Sequence, residues 1–502
     1  MGCTALIPKV PAILVRLTAS DEFEDLQEWM LSRETLNRPL HEVEQGQLER
    51  SREVNRKLLQ EHIDGRGDGN SGPKLTVVRP DEAPLTLDRS RVRDRQIRSV
   101  FGEVSAGRRG YSRTGVSSVY PLDEALGLFA DSYSYGVQRW TVIGALQGPY
   151  HEVVTSVRAR TGLTLSKRTA EYMVVAAAQD FDSFYLQRKA IAPDQTGSIV
   201  VCAIDCKGIP MKKPEPAVLK FKKTKGEKSN KKRMATVAAV FTQEPRIRTP
   251  EDVVKSLFRT ALSVVSPHPA HKRTRPQNKR IWASLRKGKD RLIQEAAQEV
   301  ERRDPNKTKT RVALTDGERA LQARALRVLP GVTLVLDLLH ALQYLWACAC
   351  AFYGEKNPET QEWMKRQALK LLQGRVSRVI QGIRQSATKR KLSGTKKTVI
   401  DVATKYLYRN RPYMRYDAYL ADGLPIASGS VEGACKNLIN DRMERSGMRW
   451  VEVSAEAMLQ VRAIYLSGDF EEYWLFHLRQ ERMRYLARRC HPVPSKAPDV
   501  EK

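Results

Sequence analysis

Cysteine is scarce in this chain of 502 residues. Its seven cysteines (Cys3, Cys202, Cys206, Cys348, Cys350, Cys435 and Cys490) are scattered and odd in number. That argues against a disulfide framework and for a reducing, cytoplasmic setting. No Cys-x-x-Cys pair occurs, so a zinc ribbon or finger lacks its usual ligands. Cys202 and Cys206 lie on a strand-like run, where buried thiols are the expected reading. Long apolar runs are missing too. The longest, Gly331 to Gly354, is interrupted by Asp337, His340 and Gln343, and it reads as a strand followed by a core helix, not as a membrane span. The first 26 residues hold a short apolar stretch broken by two prolines, without a small-residue cleavage site. Leu6 stands where an acylation motif wants Ser or Thr.

Acidic charge is also in short supply: 57 Asp and Glu face 86 Lys and Arg, a formal net charge of +29. Such an excess favours a polyanionic partner, because each neutralised phosphate releases condensed counterions. The apolar fraction of 41% is ordinary for a folded chain and allows a sizeable core.

Residues 20–62 are polar and helix-prone, and they close at the glycine-rich break Asp64 to Gly72. A basic stretch, Arg89 to Arg98, follows. Further on, an apolar-periodic helix breaks at Thr161-Gly162, and a second helix opens near Ser166 with Lys167 and Arg168 in its first turn. That pattern suits a helix-turn-helix and equally a plain helical hairpin. From Ser198 the pattern turns to strands, SIVVCAID and RMATVAAVFTQ, separated by the lysine-rich Lys220 to Arg233. The lysine-rich segment reads as a solvated hairpin loop or as a flap on phosphates. A helix is expected from about Gln277 to Arg303, then the strand RVALTD, a helix from Glu318 to Val328, and the strand TLVLD. Helical, basic sequence fills 345–415, and a final helical region follows Ser428.

Three strand-like runs end in an aspartate: Asp205, Asp316 and Asp337. Strand-ending aspartates commonly just start turns. If the three strands are neighbours, however, the carboxylates meet at one rim, repel one another and call for a cation. Hard oxygen donors favour Mg²⁺ or Mn²⁺, and two such ions serve in-line phosphoryl transfer. Glu432 lies in PIASGSVEGACKNLIND, where Ser428 or Ser430 could cap a helix and Gly429 and Gly433 allow close approach. Lys436, Arg442, Arg445 and Arg449 are interleaved with Trp450, a mixture suited to DNA backbone and an unpaired base, or to a basic solvent-facing helix.

Four segments, VCAIDCKGIPM, VALTDGERALQ, LVLDLLHALQYLW and LPIASGSVEGACKNLINDRMERSGMRW, closely resemble insertion-sequence transposases of the Kra group. These are bacterial DDE enzymes with a ribonuclease H-like core. The likeness spans about residues 100–480. It implies an α/β fold with a ribonuclease H-like mixed sheet, a helical insertion and an N-terminal helical DNA-binding region. It makes Asp205, Asp316 and Glu432 the catalytic acids and ligands of two Mg²⁺ or Mn²⁺ ions, with Asp337 and His340 in support. The long interval from Asp316 to Glu432 implies the insertion. Relatives often carry paired cysteines near a Phe-Gly…Tyr segment, and FGEVSAGRRGYSRTGVSSVY has none; a zinc-stabilised N-terminal module is therefore not expected.

The organisation implied is an N-terminal helical region and linker (1–72), a helical region with the helix-turn-helix (73–195) and the first part of the core (196–345). The helical insertion (346–424), the core completion carrying Glu432 (425–480) and a basic tail (481–502) follow. The partner is double-stranded DNA, both element ends and target, bound by a homo-oligomer associated with the bacterial nucleoid and not by a membrane protein. Lys222, Lys223, Lys231, Lys232, Arg273, Arg275, Arg280, Lys436, Arg442, Arg445, Arg449 and Trp450 are the expected DNA contacts. The rivals are a metal-dependent nuclease that cuts without joining, a non-catalytic DNA-binding protein derived from a transposase, and an RNA-processing ribonuclease.

Overall fold

A computed structural model of the protein describes residues 18–77, 83–129, 132–212, 232–258, 275–427, 429, 433 and 435–490. The molecule is mixed α/β and 58% helical. It forms two compact units, Met1–Asp180 with Glu471–Lys502, and Phe181–Phe470.

In the first unit the polar N-terminal stretch is helical, as its composition predicts: α1 (Thr18–Leu31), α2 (Arg33–Leu36) and the long α3 (Leu40–Gly65). The next stretch, expected to be helical, is not. It forms the pair β1 (Leu75–Val77) and β2 (Leu85–Leu87), then an antiparallel sheet of β3 (Arg89–Ser99), β4 (Gly102–Arg113) and β5 (Val116–Val119), in that order. The reason is a period of two, which suits a pleated strand and not a helix. Ile97, Val104 and Ala106 alternate onto a core shared with Ile63 and Leu122. Helices α4 (Pro121–Ala125), α5 (Tyr135–Gln147), α6 (Tyr150–Thr161) and α7 (Lys167–Ala178) follow. Gly162 ends α6 in the left-handed conformation at φ 75°, and the Ser166 hydroxyl caps α7 by accepting from Thr169 N at 3.0 Å. Both boundaries stand where the sequence placed them. The C-terminal helix Phe470–Cys490 brings His477 Nδ1 within 2.7 Å of Asp180, whose carboxylate also takes two bonds from Arg484 at 2.6 and 2.8 Å.

The second unit is built on one sheet. Its strands are β6 (Ile199–Pro210), β7 (Lys232–Gln243), β8 (Gln277–Ser284), β9 (Thr310–Thr315) and β10 (Thr333–Leu336), in the order β10-β9-β6-β7-β8. β6, β7 and β8 pair antiparallel, whereas β9 runs parallel to β6 and β10 parallel to β9. Residues Ile199 to Ile204 of β6 are all buried, as a strand covered on both faces requires. α8 (Phe181–Gln187) precedes the sheet and α9 (Pro250–Leu257) follows β7; α10 (Lys289–Arg303) and α11 (Arg319–Val328) make the crossovers on either side of β9. The helix expected from Gln277 begins only at Lys289. Ile281 to Ser284, buried and rich in branched and aromatic bulk, fits the edge of the sheet instead.

Helical sequence after β10 folds as α12 (Leu338–Tyr353), α13 (Pro358–Leu372), α14 (Val376–Lys389), α15 (Gly394–Asn410) and α16 (Tyr416–Ala421), and α17 (Glu452–Ser467) comes later. These helices cover the sheet edges, whose unpaired backbone groups would otherwise template foreign strands. On the β10 side, the Tyr416 and Tyr419 hydroxyls donate to the carbonyls of Leu336 and Leu334 at 2.9 and 3.4 Å. On the β8 side, Glu456 of α17 accepts from Ser284 Oγ at 2.6 Å and Leu285 N at 2.7 Å, and Ser467 accepts from Ile281 N at 2.9 Å. Among the described residues no helix is long and apolar enough to cross a membrane.

Candidate active site

Register decides where the three acids lie, although the strand expected to end at Asp205 runs on to Pro210. Ile204 of β6 pairs with Thr315 of β9, and Thr315 with Leu336 of β10. Asp205, Asp316 and Asp337 therefore follow the same paired row on three adjacent parallel strands. Asp316 and Asp337 each also open a turn, the ordinary task of such residues: Asp316 accepts from Glu318 N at 2.9 Å and Asp337 from Leu339 N at 2.7 Å. Asp205 instead lies within β6, opposite Val237 of β7, and accepts from Cys206 N at 2.6 Å. Turn chemistry and convergence coexist here.

The three acids differ in surroundings. Asp205 and Asp316 are half-buried. Burial first, and the nearby Asp205 carboxylate after it, hold the Asp316 carboxyl above its ordinary range, while the Glu318 amide and His340 pull the other way. Asp337 is 1% exposed and caps α12. His340 stands 4.0 Å from Asp337, and its buried Nδ1 has no hydrogen-bond partner among the described residues. Asp337 is therefore placed to set the start of α12.

Several groups at this rim give no sign in the sequence. Glu318 is held by Lys289, whose Nζ donates to both carboxylate oxygens at 2.6 and 2.7 Å. The Tyr406 hydroxyl of α15 donates to the carbonyl of Asp316 at 2.6 Å, and Arg409 to that of Gly317 at 3.0 Å. Tyr406 stacks on Tyr344 of α12 with centroids 3.8 Å apart. Gly317 sits at φ 88°, and a Cβ there would fall 2.7 Å from the Tyr406 hydroxyl oxygen. Only the Asp-Gly-Glu triplet hinted at this tight turn; nothing in the sequence ties Tyr406 to it.

Other expected residues meet different fates. Glu432, Lys222, Lys223, Lys231 and Arg273 lie outside the described residues. Lys232 pairs with Glu444 at 2.5 Å. Arg275, Lys436, Arg445 and Arg449 are exposed. Arg442 and Trp450, expected on DNA, are instead interior residues, 0% and 5% exposed. The guanidinium lies 5.0 Å over the indole, whose Nε1 donates to Met443 O at 2.9 Å. The backbone of Trp450 bridges to the end of β6, with bonds between Trp450 N and Pro210 O and between Lys212 N and Trp450 O. An Arg–Trp pair of this kind anchors a segment as well as it binds a base, and anchoring is its use here. Arg280 is likewise committed, to Glu299 at 2.7 Å and to the face of Tyr185 at 3.7 Å. Cys202 is the buried thiol its strand position suggested, with burial pushing it up to about 12.

The opposite end of the sheet carries a contrasting cluster. A cavity of about 390 Å³ is lined there by Tyr185, Arg188, Arg280, Glu299, Arg302, Arg303 and Asp469, among others. Glu299 takes bonds from Arg280 and Arg303 at 2.7 and 2.9 Å, and Arg188 pairs with Asp469 at 2.8 Å.

Among the described residues no three His, Cys, Asp or Glu side chains form a group that could hold a metal ion. Asp205 and Asp316 supply two hard carboxylates at one rim, a donor set that fits a divalent cation of the Mg²⁺ or Mn²⁺ kind once a third oxygen ligand joins it. Compared with known proteins, the chain matches no family model and no curated protein.

Proposed function

We propose that this protein is a DDE-type DNA transposase that cleaves and joins phosphodiester bonds at the ends of an insertion sequence, with Asp205, Asp316 and Glu432 as its catalytic acids. One observation carries the reading: the β6–β9 register that brings Asp205 and Asp316 to the same rim, with Asp316 raised by burial and by its neighbour. A carboxyl so perturbed beside a second carboxylate is suited to meet a cation. The five-stranded mixed sheet supports a ribonuclease H-like core, and the resemblance of the four segments supplies the particular chemistry.

Asp205 and Asp316, completed by Glu432, would hold two divalent ions. Such ions supply activation of the attacking oxygen and neutralisation of the leaving one. The chain's own contribution is placement. The Glu318 amide orients Asp316, Tyr406 and Arg409 fix the turn behind it, and Asp337 sets the helix that carries His340. Exposed basic residues, Arg275, Lys436, Arg445 and Arg449 together with the segment around Lys222, Lys223 and Lys231, would hold the DNA backbone.

The test is a cleavage and joining assay on duplex DNA carrying the sequences that flank the gene, with Mg²⁺ or Mn²⁺. The unaltered chain is expected to nick these ends and to join a pre-cleaved 3′ end to a second duplex. D205N should lose at least about 100-fold in cleavage, beyond what loss of a supporting group costs, and keep its DNA affinity. Cleavage by D205N at the unaltered rate would refute the assignment. Nicking without joining would mark a plain nuclease.

A further inference from the structure

The first unit contains a charged face that the acids of the second unit do not explain. β3 is an edge strand, and from Arg89 to Asp94 every residue is exposed. Arg89, Arg91, Arg93 and Arg95 alternate along it, so all four belong to one face. Toward the core end of that face Arg95 is tied down, 3.1 Å from buried Asp123. Arg108, opposite Arg93 on β4, bonds the same carboxylate and lies 3.9 Å over the Tyr120 ring. The outer three arginines are different. Opposite Arg89 and Arg91 stand only Ser112 and Gly110, and no described acid pairs with Arg89, Arg91 or Arg93.

We propose that this arginine row, Arg89, Arg91 and Arg93 on the β3–β4 ribbon, is a docking face for duplex DNA that grips the phosphates of one strand. Charge of one sign in a row repels itself, and it becomes favourable beside a polyanion. An edge strand needs some charge to deter foreign strands, but a single residue of either sign serves that end. Spacing fits as well. Alternate residues of a strand repeat every ~6.8 Å, which matches two base-pair steps of ~3.4 Å along the duplex axis. A two-stranded ribbon is also of a width that the major groove, about 12 Å across, admits. Arginine, with its planar fork of donors, is the side chain suited to phosphate oxygens. The partner class follows from the proposed transposase reading, but the face itself does not depend on the acids.

The experiment measures equilibrium binding of the full chain to a duplex over a salt series, without divalent metal, so that cleavage does not enter. R89Q/R91Q/R93Q should weaken binding at least tenfold at 0.1 M salt. It should also reduce the slope of log K against log salt by about 2–3, as loss of three phosphate contacts at ~0.9 each demands. R89K/R91K/R93K keeps the charges and should keep the slope. An unchanged slope and affinity in the glutamine variant, or an equal loss in the lysine variant, overturns the proposal. So does a glutamine variant that keeps its duplex affinity while losing binding to vesicles of anionic phospholipid, which would assign the face to a membrane surface.

Discussion

The two ends of the five-stranded sheet treat charge in opposite ways. At one end burial and Asp205 hold the Asp316 carboxyl above its ordinary range. At the other, burial alone would raise Glu299, but Arg280 and Arg303 around it hold it low. Both are acids on or beside the same sheet, yet one is surrounded so that its charge is disfavoured and the other so that it is favoured. The difference separates a group suited to receive a cation from a group that already has its cations. Burial and charge density alone do not make that distinction. The partners do.

The largest effect on stability is expected where buried charges depend on one another. Removing Glu299 in E299A leaves Arg280 and Arg303 buried beside a missing anion, which should cost about 3–5 kcal/mol in a denaturant titration. G317A comes next: a left-handed backbone and a Cβ against Tyr406 should cost about 1–3 kcal/mol and reduce any metal-dependent cleavage. Y406F removes one hydrogen bond to the Asp316 carbonyl and should cost about 0.5–1.5 kcal/mol.

The dependence on pH is the most diagnostic, because the two acids have opposite signs under linkage. Asp316, raised on folding, lowers stability as pH rises from the ordinary carboxylate range through its folded value. D316N should therefore be more stable than the unaltered chain near neutrality without metal, and lose that advantage in acid. Glu299, lowered on folding, contributes stability at neutral pH that disappears as pH falls through its depressed value. E299Q should thus be weakest near neutrality and approach the unaltered chain in acid. Thermal melts across pH 3–8 (a span of ordinary buffers) would show the two curves crossing in opposite directions. Parallel curves would erase the contrast between the ends.

Much of the second unit was legible in the sequence because its strands are buried runs that end in a polar residue. β7, β9 and β10 fall where RMATVAAVFTQ, RVALTD and TLVLD place them, and β6 starts with SIVVCAID but runs past Asp205 to Pro210. β8 was hidden because its first half, Gln277 to Arg280, is polar and runs toward a true helical pattern from Leu292 onward. The ribbon of the first unit was hidden for a related reason. Its alternation is arginine against mixed exposed residues, Ser90, Val92, Asp94 and Gln96, with little apolar signal to mark a strand. At the rim, Asp316 and Asp337 were legible as strand ends, whereas Asp205 was legible only as an acid on a strand, because β6 continues past it to Pro210. Lys289, Tyr406 and Arg409 were not, since their roles arise from contacts made far along the chain. Arg442 and Trp450 show the reverse failure: a composition that suits DNA serves the interior.

The hydroxyls of Tyr406, Tyr416 and Tyr419 carry one more implication. They bind main-chain oxygens of the acid-bearing loop and of the outermost strand, so the segment that follows Tyr353 acts as a wall of the building and not as an annex. A trimmed protein without it would have a bare flank ready to recruit other chains, and should precipitate where the whole molecule stays dispersed.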